Sequence, residues 1–165
     1  AATASTSASA SVSRPSAPAL DVEVVASGLE HPWEIAFLPD GRALVTERGG
    51  RLVLLSALRA GASVTRVHAD LTSVGARGEG GLMGLALAPD FATSRIFVTC
   101  QTHAVAGALV DVRLVRWQLS ADASRADRVQ ELVTGLPVAA SGRHSGCLLT
   151  VAADGAPLSP VSLIL

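Results

Sequence analysis

From residue 21 onward, short apolar runs alternate with turn residues, a pattern that is typical of β-strands. Two such runs, Ile35–Leu38 and Ala43–Thr46, are separated by a Pro-Asp-Gly triplet at residues 39–41. This triplet favours a turn, because proline presets φ, aspartate bonds its own backbone and glycine tolerates positive φ. Further apolar runs of similar length lie at Val22–Val25, Leu52–Leu55, Leu114–Leu119 and Glu131–Val133. The pattern predicts a meander of antiparallel strands.

The strand pattern also repeats along the chain. The segment IAFLPDGRALVT is echoed by LALAPDFATSRIFVT and by LTVAADGAPL, which places turn aspartates at Asp40, Asp90 and Asp154. Their spacings, about 50 and about 64 residues, suit a propeller blade, a four-stranded unit repeated around an axis. We therefore expect an all-β chain that forms about two blades and the start of a third of an incomplete β-propeller.

The two ends of the chain differ from this repeat. Residues 1–20 are rich in Ala, Ser, Thr and Pro, so we expect a disordered tether there. Residues 21–155 form the predicted partial propeller, and closed propellers need about 4–8 blades, so the chain cannot close a ring alone. In residues 156–165, Pro157 and Pro160 cannot donate ladder hydrogen bonds, which indicates an aberrant or truncated end.

Composition narrows the function classes. The 165 residues are 49% hydrophobic and 16% charged, with a formal net charge of -1. This charge gives no electrostatic reason to expect nucleic acid as a partner. No uninterrupted apolar run approaches the roughly 20 residues of a membrane-spanning helix, so no transmembrane segment is expected. The start without methionine and the Ala/Ser/Thr/Pro tether are consistent with a processed, extracytoplasmic protein, whether secreted, periplasmic or tethered to the envelope; the alternative is a truncated start.

The two cysteines, Cys100 and Cys147, have neither CxxC nor zinc-site spacing. They could pair in an oxidising compartment. The preferred interpretation is that both are buried thiols that pack as small apolar side chains.

Four histidines are candidates for chemistry: His31, His68, His103 and His144. No two have metal-ligand spacing, and the motifs HExxH and GxSxG are absent, which argues against zinc hydrolases and α/β-hydrolases. His68 is predicted in a strand and His103 in a loop. His144 lies among small residues before a predicted inner strand, at the mouth of a propeller, where general bases are placed. By itself such a residue is more often an ordinary surface histidine.

A glycine-rich segment, GARGEGGLMG, occupies residues 75–84. It is not a dinucleotide fingerprint, because a strand and a turn follow it instead of the helix that binds a pyrophosphate. Glu79 within it is either a hydrogen-bonding site residue or a charged residue of a flexible loop.

Three segments together resemble a known family: SGLEHPWEIAFLPDGRALVTERGGRLVLL, GEGGLMGLALAPDF and SGRHSGCLLTVAADG. In this order and at these separations they closely resemble the glucose/sorbosone dehydrogenase family, over about residues 21–155. The resemblance implies the amino-terminal portion of a six-bladed quinoprotein that binds pyrroloquinoline quinone (PQQ) and calcium. Such enzymes oxidise aldose sugars and pass the electrons to an acceptor.

Carried over by position, His144 matches the family's general base, which takes the proton of the anomeric hydroxyl while hydride passes to the quinone. Glu79 matches a Gln or Glu that faces the site, and Arg143 is expected near substrate or cofactor. Leu148 replaces an arginine that usually follows the histidine. The family's calcium ligands and its quinone-binding cations come from later blades, so the resemblance implies that most cofactor-binding residues are missing here.

The resemblance thus predicts a fragment of a PQQ-dependent aldose sugar dehydrogenase that is inactive alone. Its partners would be a small aldose substrate and an electron acceptor. An alternative is a non-catalytic propeller that binds a glycan or a protein. A lactone-hydrolysing propeller is a third possibility, although the metal-binding acidic residues of that class are not recognisable in this sequence.

Overall fold

The computed structural model describes residues 20–151, which form two four-stranded antiparallel sheets. Both sheets have their strands in chain order. The first contains β1 (Pro32–Phe37), β2 (Ala43–Glu47), β3 (Arg51–Leu55) and β4 (Val64–Val67). The second contains β5 (Leu82–Leu87), β6 (Ile96–Val105), β7 (Ala108–Leu119) and β8 (Ala126–Leu136). Nearly all of the tether predicted at 1–20, the turn at Asp154 and the end segment 156–165 lie outside the described residues.

The turn between β1 and β2 forms as its sequence predicts. The amide of Leu38 donates to the carbonyl of Arg42 at 2.8 Å, and Asp40 Oδ1 accepts from the amide of Arg42 at 3.1 Å. Gly41 takes a φ of 84°, which suits glycine. The register that follows, from Phe37 opposite Ala43 to Glu34 opposite Thr46, places alternate side chains of β1 on opposite faces.

The second copy of this turn differs. Phe91 stands where the first copy has glycine, and the chain forms a single helical turn, α1 (Phe91–Ser94), before β6. The helix ends at Arg95, which adopts the left-handed conformation with a φ of 54°. Phe91 is buried in the core, so its side chain contributes packing where glycine contributed only backbone freedom.

The main apolar core lies between the two sheets. The first sheet contributes Leu44, Leu52 and Leu54, and the second contributes Phe97 and Trp117. Trp117 donates from its indole nitrogen to Thr99 Oγ1 at 2.9 Å, so its buried polar atom is satisfied. The first strands of the two sheets, β1 and β5, also contact each other. Consecutive four-stranded meanders packed in this way are two neighbouring blades of a propeller.

Chain segments outside the strands cover the other face of each sheet. Ala26 and Leu29 pack on the apolar face of β2 and β3. The prediction of a strand at Val22–Val25 is wrong, because this segment joins no ladder; the carbonyl of Val25 accepts a single backbone hydrogen bond from the amide of Ala62 at 3.2 Å. On the second sheet, Cys147 and Leu149 cover the outer face. In the first sheet, β2 is covered by the second sheet on one face and by Ala26 and Leu29 on the other, and all five of its residues are buried.

Cys100 and Cys147 form a disulfide. The preferred interpretation of two free thiols is therefore wrong. Cys100 lies in the middle of β6 and Cys147 in the segment that crosses the outer face of that sheet, so the fold places their Cα atoms 6.2 Å apart. This distance is within the range that a disulfide spans.

Candidate functional site

Antiparallel pairing gathers the candidate residues at one end of both sheets. The hairpin after Glu47, the loop before Leu82, the hairpin after Val105 and the segment after Leu136 all lie at this end. The Asp40 and Asp90 turns lie at the opposite end. Glu79, Arg143 and His144 are therefore brought to the same face of the molecule, as loops of a propeller face must be.

The glycine-rich loop and the segment before His144 bind each other through their backbones. The amides of Glu79 and Gly80 both donate to the carbonyl of Gly142, at 2.9 and 3.2 Å. Gly142 has a φ of 73°, and a Cβ there would overlap the carbonyl of Arg77. A Cβ on Gly78 would in turn meet the carbonyls of Ser141 and Gly142. The glycines are needed because two backbones approach closely here.

The carboxylate of Glu79 reaches His144 directly. The backbone amide of His144 donates to Glu79 Oε2 at 2.9 Å. His144 itself has a φ of 56°, in the left-handed region that non-glycine residues rarely adopt. Glu79 therefore holds the backbone of the candidate base in an unusual conformation. Within residues 20–151, no hydrogen bond engages the imidazole, which stays exposed.

Arg77 is a second link in this arrangement, and sequence reasoning missed it. Its guanidinium donates to the carbonyl of Ala140 and to that of Gly107, both at 3.2 Å. It thereby joins the segment before His144 to the hairpin between β6 and β7. Its acceptors are backbone carbonyls, which leave no mark in a sequence. The one signal in the sequence is that Arg77 is the single cation of the glycine-rich segment at residues 75–84.

The first blade also supports the loop. Arg48 donates to the carbonyl of Gly78, and its own carbonyl accepts from the amide of Leu82 at 3.0 Å. Beside it, the buried carboxylate of Glu47 accepts from the amide of Glu30 and, at 2.6 Å, from Arg51 Nε. The loop that carries Glu79 is thus held by both blades.

A cavity of about 390 Å³ opens next to His144. Arg143, His144 and Ser145 line one side, and the opposite wall is apolar, formed by Val112, Leu136, Pro137, Val138 and Ala139. Such a combination, an apolar wall with a few polar groups, is typical of small-molecule sites. Arg143 is exposed, so its cation is available to an anionic or hydroxyl-rich ligand.

The other histidines lie apart from this site. His103 is in β6 opposite Asp111, so its predicted placement in a loop is wrong. His68 immediately follows β4 and joins the blades through its backbone, accepting from the amide of Ala126 at 2.8 Å. His31 is exposed before β1. Residues 20–151 contain no group of three His, Cys, Asp or Glu side chains that could hold a metal ion.

The described residues fit the two implied cofactors to different degrees. PQQ is a planar quinone with carboxylates, and the cavity offers it an apolar wall and the cation of Arg143. Arg48 and Arg77 already bind backbone carbonyls. Calcium requires six to eight oxygen ligands, and no acidic cluster in the described part of the chain supplies them.

The fold and site therefore define a β-propeller with a histidine-bearing loop at one face. Residues 29–159 match the family described as Glucose / Sorbosone dehydrogenase. The chain belongs to this family.

Several known proteins are similar to this chain. It is 34% identical over 132 residues to the aldose sugar dehydrogenase YliI of Escherichia coli strain K12. The aligned region covers 79% of this chain and 35% of that protein. An oxidoreductase of Thermus thermophilus, described as a glucose dehydrogenase, is 36% identical, with a TM-score of 0.67 over 81% of this chain and 37% of its own. The PQQ-bound aldose sugar dehydrogenase of Streptomyces coelicolor is 27% identical, with a TM-score of 0.65; the match covers 79% of this chain and 37% of that one.

The chain thus spans little more than a third of the length of these relatives. This share agrees with the two blades described, out of a larger propeller. None of the helices within residues 20–151 has the length and apolar character required to cross a membrane.

Proposed function

We propose that this chain is the amino-terminal part of a PQQ-dependent aldose sugar dehydrogenase in which His144 is the general base. The observation that carries the proposal is the placement of His144. Its backbone is fixed by Glu79, and its ring is exposed at the wall of a cavity with the size and lining of a small-molecule site. Membership of the glucose/sorbosone dehydrogenase family supports the reaction class.

In the proposed reaction, His144 accepts the proton of the sugar's anomeric hydroxyl. Hydride can leave the anomeric carbon readily only if this proton is removed, and an imidazole can accept a proton near neutral pH. When bound, the quinone supplies the hydride acceptor. The chain's own task is to hold the imidazole against the hydroxyl and to exclude water from one side of the cavity.

Two neighbouring residues have supporting roles in this proposal. Glu79 Oε2 is engaged by the amide of His144, so Oε1 is the atom that would accept from a sugar hydroxyl or the cofactor. Arg143, exposed at the cavity, would bind a carboxylate of the quinone or a sugar oxygen. Calcium and the remaining quinone-binding cations would come from blades outside this chain, so we propose that the chain alone does not oxidise sugars.

The disulfide supports an extracytoplasmic location. Disulfides persist in oxidising compartments such as the periplasm and the exterior, and are rare in the cytosol. The Cys100–Cys147 bond is therefore what an exported protein would contain.

The test uses the complete protein, with its remaining blades, reconstituted with PQQ and calcium. Reduction of an artificial dye by glucose and other aldoses is expected, and the His144→Ala variant should lose it. His68→Ala is the matched control, because His68 is also exposed and lies away from the cavity. A protein that binds aldoses or another glycan without reducing the dye would instead be the non-catalytic propeller.

A further inference from the structure

The Cys100–Cys147 disulfide ties the His144 segment to the centre of the second sheet. Cys100 is completely buried in β6, where it pairs with Leu114 of β7. Cys147 follows His144 by three residues and is also buried. A covalent bond therefore connects the segment that carries the candidate base to β6, a central strand that is paired on both sides.

The two sides of His144 are held by different forces. On the amino-terminal side, backbone hydrogen bonds join Gly142 to the glycine-rich loop, and Glu79 binds the amide of His144. On the carboxyl-terminal side, residues 145–151 make no backbone–backbone hydrogen bond within the described part of the chain. Among the described residues, the disulfide and apolar packing are what attach them to the sheet.

The packing on this side is close. The carbonyl of Cys147 and the side chain of Leu149 lie against Gly84, where a Cβ would overlap that carbonyl. Leu148 between them points away and is exposed. Leu149 is thus the one large apolar anchor among residues 145–150, and the disulfide is the other attachment.

We propose that the Cys100–Cys147 disulfide is a positioning element for His144. With the bond closed, the segment is attached on both sides of the histidine and the imidazole stays at the cavity wall. Reduction by a dithiol breaks the S–S bond, leaves two thiols and oxidises the reductant to its own disulfide. On the carboxyl-terminal side only the packing of Leu149 then remains, and His144 leaves its position in a larger fraction of molecules.

Hydrogen–deuterium exchange of this chain, followed by mass spectrometry, tests the structural step. Relative to peptides from β6 and β7, the peptide that contains His144 should exchange about tenfold faster after reduction with dithiothreitol or in a Cys100→Ser/Cys147→Ser variant. Val98→Ala is the matched control. Val98 is buried on the same face of β6 in the same cluster, and its truncation leaves the disulfide intact. An equal increase in all of these peptides, or none, would overturn the proposal.

The catalytic step rests on the proposed function and is tested in the complete protein. Reduction should lower kcat about tenfold with a smaller change in KM, because the base is displaced while Arg143 stays on the side of the segment that is held by hydrogen bonds. Reoxidation should restore kcat. Faster exchange at His144 with an unchanged kcat would contradict the positioning role. If the protein oxidises no aldose at all, the proposed function fails, while the exchange experiment still decides whether the disulfide positions the segment.

Discussion

Glu79 Oε2 accepts a hydrogen bond from the backbone amide of His144 at 2.9 Å, across 65 positions of the chain. The contact joins the glycine-rich loop of the second blade to the segment that follows the same blade. It makes Glu79 a positioning residue for His144 as well as a candidate ligand of the sugar. The assignment of Glu79 from the family resemblance did not include this contact.

Replacing Glu79 tests the positioning role. Glu79→Ala removes the acceptor, so kcat of the complete protein should fall by roughly 3- to 30-fold, in proportion to one charge-assisted hydrogen bond. Glu79→Gln keeps an acceptor oxygen and should retain most of kcat. Steady-state kinetics with glucose provide the measurement. Equal rates for the alanine variant and the unmodified protein would show that the contact does not position His144.

Gly142→Ala should destabilise the chain more than Gly135→Ala. Both glycines have a φ near +75°, 73° and 76°, so alanine is strained to a similar extent at either position, by about 1 kcal/mol. At Gly142 the new Cβ would also overlap the carbonyl of Arg77, whereas nothing lies within 4 Å at Gly135. Thermal unfolding monitored by circular dichroism compares the two. A similar loss in both variants would mean that the two loops separate without cost.

Acid should destabilise the first blade through Glu47. Burial raises the pKa of the Glu47 carboxyl, but hydrogen bonds from Arg51 and from the amide of Glu30 outweigh it, so the pKa lies below its ordinary value of 4.5. The carboxylate therefore stabilises the fold above pH 4.5, and this contribution is lost as the pH falls through the lowered pKa.

The measurement is the unfolding midpoint between about pH 7 and about pH 3, for the unmodified chain and for Glu47→Gln. The variant should be less stable at neutral pH, and its midpoint should decrease less over this interval. Parallel decreases in the two proteins would show that Glu47 does not contribute to the acid response.

The chain by itself should self-associate. Trp33, Ile35 and Phe37 alternate along one face of the edge strand β1 and are 38%, 40% and 60% exposed. This apolar face is not covered by the second blade, and an exposed apolar face on an edge strand favours association. Analytical ultracentrifugation should find oligomers, and Phe37→Ser should reduce them more than the control Leu58→Ser, since Leu58 is exposed in a loop. A monodisperse monomer of the unmodified chain would contradict this expectation.

The strands and their turns could be predicted because their causes are local. Apolar alternation and the triplet at residues 39–41 place β1 and β2 correctly. The error at Val22–Val25 has a non-local cause, because a strand needs a continuous ladder and this segment makes only one isolated backbone bond, to Ala62. The polar neighbours of His103 predict a loop, but β6 continues through this residue by pairing with β7.

The disulfide and the hydrogen bonds of Arg77 also have non-local causes, so the sequence does not predict them. The distance between Cys100 and Cys147 depends on how the last segment crosses the sheet, which their spacing does not reveal. Arg77 binds the carbonyls of Ala140 and Gly107, and any residue could supply these. The family resemblance singles out Glu79 and His144, but only the structure shows what holds them together.

The most direct test of the account is kcat for aldose oxidation by the complete protein with His144→Ala. Removal of a general base is expected to reduce kcat by about 10²- to 10⁴-fold, with PQQ still bound as measured by its absorbance. His68→Ala should oxidise aldoses at the unmodified rate. A His144→Ala protein that binds the quinone and reduces dye as fast as the unmodified protein would contradict the assignment of His144 as the base.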